Sequence, residues 1–418
     1  MTTTHPVRIA ATALFPFACG YFLSYLLRAV NAVVAPDLVA AFGLTPGELG
    51  LLTSAYLIAF SLFQLPLGVL LDRYGPRRVQ SVLLLVAASG CVLFAAAPGF
   101  VSLFLARAVI GFGFAGGLMA GLKAISLWVP VARRPLANTL IMSMGALGII
   151  VATEPTQILS MAVGWRTSFL IFAALIALCA AYIFFAVPER QSAPSTVGFT
   201  TQVREFAHIF RLPVVWHLVP LLAVTAGTQV AIQTLWAGPW LRDVMGLSRD
   251  EAARYLLWMA VAFMIGILSA GIVADRLGRR GISPLAVMLG YHLIYLAAQT
   301  VIVFRLVTFA LPAWLIVAAF GQVAIIAYPW LASRVGAEFA GRSNAAINFS
   351  MFVVAFIAQY AIGLIIGLFP ASSTGYDPAA YSWAFGAFLI LQIAALLWYL
   401  ASAARTLTEP LYDQSPAR

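Results

Sequence analysis

Along the chain, long apolar runs alternate with short polar breaks. Most runs hold about 20 residues or more, enough for a helix to cross about 30 Å of hydrocarbon. A helix is also the form in which a lipid-immersed segment satisfies its own backbone hydrogen bonds. The pattern predicts twelve spans, at roughly 10–35, 47–71, 79–97, 100–128, 135–160, 167–187, 213–241, 251–274, 283–304, 309–332, 343–369 and 380–403. One break is much longer than the others. It divides the spans six and six, giving a first half of residues 1–187, a linker of 188–212 and a second half of 213–418. The later part of the linker has the make-up of a short amphipathic helix lying on the membrane. The leading MTTTHPVR runs straight into an apolar segment, with no pattern of a cleaved signal peptide.

Composition strengthens this picture. Hydrophobic residues make up 63% of the chain, against roughly 45–50% in a soluble domain, so the expectation is an all-α integral membrane protein. The net charge of +10 suggests an acidic partner until its placement is considered. With both termini cytoplasmic, most basic residues fall in cytoplasmic segments, as the positive-inside rule requires. Membrane lipids then account for the charge, and no nucleic acid is implied. Cys19, Cys91 and Cys179 lie within apolar helices without metal-ligand spacing and are read as small buried hydrophobes. No Ser/His/Asp arrangement, phosphate-binding glycine loop or ATPase module is evident. The chain is therefore not expected to be an enzyme or to hold a metal or cofactor.

One polar pattern is written twice. GVLLDRYGPRR, beginning at Gly68, follows the second span, and GIVADRLGRR, beginning at Gly271, follows the eighth. Gly68 and Gly271 would let a neighbouring helix approach closely, and Gly75 and Gly278 suit tight turns. Asp72 and Asp275 can face a helix N-terminus. Arg73, Arg77 and Arg78, with Arg276, Arg279 and Arg280 in the second copy, can bridge carboxylates, carbonyls and lipid phosphates.

Twelve spans in two six-helix halves with this doubled motif resemble the major facilitator superfamily across essentially the whole chain. LARAVIGFGFAGG in the fourth span, with Arg107 ahead of Gly111 and Gly113, resembles a second signature of that family, and GWR at Gly164–Arg166 is similar to a third. The resemblance implies two pseudo-symmetric bundles rocking about a central site, with the motif turns as gates.

Four strongly ionisable residues lie well inside spans: Arg28, Arg107, Lys123 and Glu154. Each is costly in hydrocarbon and is a functional candidate by default. Arg28 shares a helical face with Tyr21, Ser24 and Tyr25. Lys123 is the only lysine in the chain; it is either a proton-handling group or a side chain reaching to the headgroups. Glu154, beside the helix-loosening Pro155, is either a proton carrier or half of an ion pair with Arg28 or Arg107. In the second half, Gln229, Gln233, Trp236 and Trp240 mark one face of the seventh span, and Gln322, Tyr328, Asn348, Gln359 and Tyr360 follow. His292, in the ninth span, is read as a packing residue.

Three basic groups against one acid favour an anionic ligand. The first two spans also resemble the anion:cation symporter and organophosphate branches of the superfamily, which implies that Arg28 and Arg107 bind carboxylate or phosphate. The acids that many anion symporters carry beside these positions are absent, since Leu27 precedes Arg28 and the fourth span holds none, so either Glu154 carries the proton, or coupling is of another kind, or the protein is a uniporter. The expected protein is a monomer in the bacterial inner membrane. It imports a small organic anion with protons, using Arg28, Tyr21, Tyr25, Arg107, Gln229, Gln233 and Trp236 for the substrate, and Glu154 and Lys123 for the proton. The alternative is a proton-coupled exporter of drugs or metabolites. A ligand sensor, the third class, is expected to carry a signalling domain or a long tail.

Overall fold

The computed structural model of the chain describes residues 14–130, 133–188, 204, 206–322, 324–335, 340–372 and 375–406. Ten helices among the described residues are long and apolar enough to cross a membrane, and Phe15–Ala29 with Asn31–Phe42 add a span bent by 45°. The shorter apolar helix Leu136–Val151 fills the place of the fifth span. Each of the twelve expected spans is therefore present as helix.

Local chemistry explains where spans start and turn. Spans 2 and 8 both open with a capping box. In the first, Thr45 N–H donates to Glu48 at 2.9 Å while Glu48 N–H donates to Thr45 Oγ1 at 3.2 Å. In the second, Ser248 and Glu251 repeat the exchange at 2.8 and 3.3 Å. Spans 2 and 3 run through Pro46–Ala95, and the chain reverses between them at Gly75, whose φ of 77° and ψ of 159° only glycine adopts at ease. Spans 5 and 6 are joined in the same way at Gly164, with φ 80°.

The signature glycines of span 4 act in packing. A Cβ on Gly111 would lie 2.3 Å from the carbonyl oxygen of Tyr56, and one on Gly113 would lie 2.4 Å from the backbone nitrogen of Ala87. Spans 2 and 3 therefore press directly on span 4. Across the seam between the halves, span 2 packs on span 11 and span 5 on span 8.

The motif turns lie at one end of the molecule, called here the motif end. At the opposite end, Ala371–Ser372 pairs with Gly375–Tyr376 in a two-stranded ribbon. Asp243, at the end of span 7, secures that ribbon by accepting from Tyr376 N–H at 3.1 Å and from the Tyr381 hydroxyl at 2.6 Å. Of the linker, residues 206–209 are helical. They pack through Ile209, which is fully buried, into the second half's core.

Candidate functional site

Spans 1, 4, 7 and 10 are each interrupted near mid-length. The interruptions fall at Val30, at Ala115–Gly116, at the π-helical turn Ile232–Trp236 and at Gly321–Gln322. Span 5 has a further break at Ala152–Thr153. Broken spans and π-turns re-aim side chains and are frequent where a transporter holds its ligand.

A cavity of about 780 Å³, opening included, lies between the halves at these breaks. Span 1 lines it with Tyr21, Tyr25 and Arg28, span 7 with Gln233, span 10 with Gln322 and span 11 with Asn348. Arg28 is the sole charged side chain among the described lining residues. Its Cζ lies 4.5 Å from the ring centre of Tyr25, 4.8 Å from Phe60, 5.0 Å from Phe352 and 5.7 Å from Tyr56. These ring faces offset part of the cost of keeping a cation out of water. Its Nε is buried without a hydrogen-bond partner among the described residues.

The other expected substrate residues divide. Tyr21 and Tyr25 are joined hydroxyl to hydroxyl at 3.1 Å and face the cavity. Gln229 is fully buried and its amide donates to Gln233 Oε1 at 3.1 Å, so it holds Gln233 in position while the Gln233 Nε2 stays unpartnered. Arg107 does not line the cavity beside Arg28. It lies behind span 1, fully buried, and its Nη2 donates to the carbonyl oxygen of Arg28 at 3.3 Å, two residues before the Val30 bend. Trp236 does not face the cavity either: its Nε1 donates to the carbonyl oxygen of Gln359 at 3.1 Å, closing the seam beyond it.

The seam is sealed toward the opposite end. Arg249 grips both oxygens of Asp37 at 2.8 and 2.5 Å, and Ser160 adds a bond to the same carboxylate at 3.3 Å. Glu154 pairs with Arg254 of span 8 at 3.2 Å. The expected partners of Glu154 were Arg28 and Arg107; the bend of span 1 and the break of span 5 keep it away from both. Lys123 does not line the cavity; its Nζ donates to Asp72 Oδ1 of the first motif copy at 2.8 Å.

The second copy is open. A Cβ on Gly271 or Gly278 would meet nothing within 4 Å, so the close helix approach expected at Gly271 is absent, and Gly68 is exposed as well. Gly278 is also not the turn glycine: it is the last residue of helix Arg249–Gly278, and the chain reverses at Gly281, φ 82°. Arg276 and Arg280 are exposed there, as is Arg73 in the first copy, where its Cζ lies 5.3 Å from the Tyr74 ring. Arg77 is tied down, its Nε donating to the carbonyl oxygen of Phe184 at 2.7 Å, and Arg78 is also engaged. His292 is buried and meets Thr225 at 3.3 Å, in keeping with packing.

Sequence reading missed Tyr56, Phe60 and the seam acid Asp37. The spacing of Tyr56 and Phe60 on one face of span 2 was an available signal. The partner of Asp37 lies in the other half of the chain.

A model of the Major Facilitator Superfamily matches residues 17–359. The chain belongs to that superfamily. That superfamily is one of transporters, not of enzymes. Among curated relatives of this facilitator, a probable sulfoacetate transporter of Cupriavidus necator is 26% identical over 276 residues, 62% of this chain and 64% of the relative. A hexuronate transporter of Bacillus subtilis is 26% identical over 280 residues, 64% of this chain and 66% of the relative. The facilitator chain thus spans just under two thirds of the length of each of these two relatives. In fold, it superposes on a bacterial homologue of the human lysosomal transporter Spinster, solved inward-facing and unoccupied, with a TM-score of 0.76 at 20% identity. That match covers 99% of this chain and 100% of the other.

Proposed function

We propose that this transporter imports a small organic anion together with protons across the bacterial inner membrane, with its motif end and both termini cytoplasmic. One observation carries the reading: Arg28 enters the cavity as a cation with no carboxylate partner among the described residues. An anion would complete that charge with bidentate hydrogen bonds. Curated relatives whose names include sulfoacetate and hexuronate transport are consistent with such a substrate.

Glu154 and Lys123 are the proposed proton-linked groups. Glu154 joins the halves at the external end through Arg254. A proton arriving from outside neutralises it, releases Arg254 and loosens that seal as the anion enters. Lys123, held to Asp72, is the corresponding group at the cytoplasmic end. The two halves, 1–187 and 213–418, move as the rocking bodies about the linker, and the transporter acts as a monomer. The aromatic walls around Arg28 favour the second reading, proton-coupled export of apolar drugs or metabolites.

Reconstitution in liposomes, with internal pH followed during addition of organic anions and lipophilic cations, separates the two. Acidification driven by anions and lost in Glu154→Gln is the expected result. A response to lipophilic cations alone would overturn the import reading in favour of export.

A further inference from the structure

The cavity's lining narrows the class of anion, and this inference rests on the anion reading above. We infer that the substrate is a monoanion whose charged group caps a flat or compact apolar body, such as an aryl or cycloalkyl carboxylate, rather than a polyhydroxylated acid or a dianion.

The first support is charge. Arg28 is the sole charged side chain among the described lining residues. Arg107, the nearest second cation, is turned away and bonded to the Arg28 carbonyl. A second carboxylate on the ligand would have to lose its water without gaining a cation.

The second support is how few polar groups remain uncommitted. Tyr21 and Tyr25 bond to each other, and Gln64 donates to the carbonyl oxygen of Ala115 at 2.8 Å. Thr234 donates to the carbonyl oxygen of Val230 at 2.7 Å, and the Gln233 oxygen already accepts from Gln229. What the second half offers is the unpartnered Gln233 Nε2, with Gln322 and Asn348 beside it. A sugar acid presents a hydroxyl on nearly every carbon, and these would have to share the Tyr25 O–H, the Gln64 oxygen and the Gln233, Gln322 and Asn348 amides in a cavity whose other walls are apolar.

The third support is the shape of the walls. Phe60 and Phe352 face each other across the seam with ring centres 4.9 Å apart, and Phe263, Met119 and Ile149 continue the apolar surface. The rings that hold the Arg28 guanidinium would also meet the body of a ligand whose carboxylate reaches that guanidinium. A ring or compact hydrocarbon satisfies both demands at once. Gln233, on the far side, then accommodates one acceptor at the ligand's distal end.

The test is equilibrium binding to the purified full-length transporter in lipid nanodiscs, read by intrinsic fluorescence and by thermal shift. The probes are benzoate, gluconate, phthalate and benzamide. Benzoate is expected to bind about tenfold or more tightly than gluconate and phthalate, and benzamide not measurably. Arg28→Gln is expected to abolish benzoate binding, and Phe352→Asn to bring benzoate and gluconate toward parity. Should either variant fail to fold, the ranking on the unaltered protein stands as the test. Gluconate or phthalate binding as well as benzoate would overturn the present inference and leave anion import intact. Benzamide matching benzoate, or no anion binding at all, would overturn the anion reading and this inference with it.

Discussion

At the foot of span 2, Asp72 accepts a hydrogen bond from Lys123 at 2.8 Å and Arg77 donates to the carbonyl of Phe184 at 2.7 Å. At the foot of span 8, Asp275 meets Arg279 of its own helix, also at 2.8 Å, with both side chains largely exposed. The residues are nearly the same and the spans open with equivalent capping boxes. The surroundings make the difference. Span 4 supplies a lysine where span 10 has none, and Arg334 of span 10 instead lies 5.2 Å from the ring centre of Trp330. The first turn is thus bound into its own half, while the second presents its charges at the surface. A repeated motif fixes which bonds a turn is able to make; the elements around it decide which are made.

The strongest way to break this comparison is through the turn glycines. Gly75, with φ 77° and ψ 159°, occupies a region nearly closed to other residues, so Gly75→Ala should destabilise by about 1–3 kcal/mol. Gly281, with φ 82°, should behave alike at about 1–2 kcal/mol. Gly278 ends its helix without a positive φ, and Gly278→Ala should leave stability unchanged or slightly raised. Thermal unfolding in detergent checks all three. Equal losses at 75 and 278 would mean that both turns reverse at the motif glycine, against the structure.

The ion pairs sharpen it next. Lys123 and Asp72 retain only 27% and 32% of their side-chain exposure. Lys123→Met should therefore cost about 1–2 kcal/mol, between the values for surface and buried pairs. Because Asp72 is left without its partner, the double variant with Asp72→Asn should recover part of that loss. A thermodynamic cycle that returns no coupling between the two positions would remove the first turn's distinction.

Much of this fold was legible because bilayer thickness imposes a length on every span. Arg28 was legible for a related reason: a charge within a span needs a polar cavity or a partner. The interruptions at Val30 and Gly321–Gln322 were not, since no proline sits at either point and the bend belongs to the packing around it. Nor was the fate of Arg107. Its position in span 4 is plain from sequence, but whether it points into a cavity or behind span 1 depends on how the two helices rotate against each other. Glu154 shows the same limit across halves, because Arg254 meets it only when the seam at that end is closed.

The smallest effect should come from the second turn's own pair. Asp275 and Arg279 are spaced i,i+4 on the last turn of span 8, with side chains 62% and 78% exposed. Solvent screens their attraction, and a helical pair of this kind stabilises by about 0.3–0.5 kcal/mol. Arg279→Met should therefore shift unfolding by no more than that, and the shift should vanish in molar salt, where the screening length falls to about 3 Å. The loss at Lys123 should survive the same salt in larger part, because its carboxylate partner is half-buried. If Arg279→Met proved as costly as Lys123→Met and as resistant to salt, the second turn would have to be bound as firmly as the first, and the contrast between the copies would be lost.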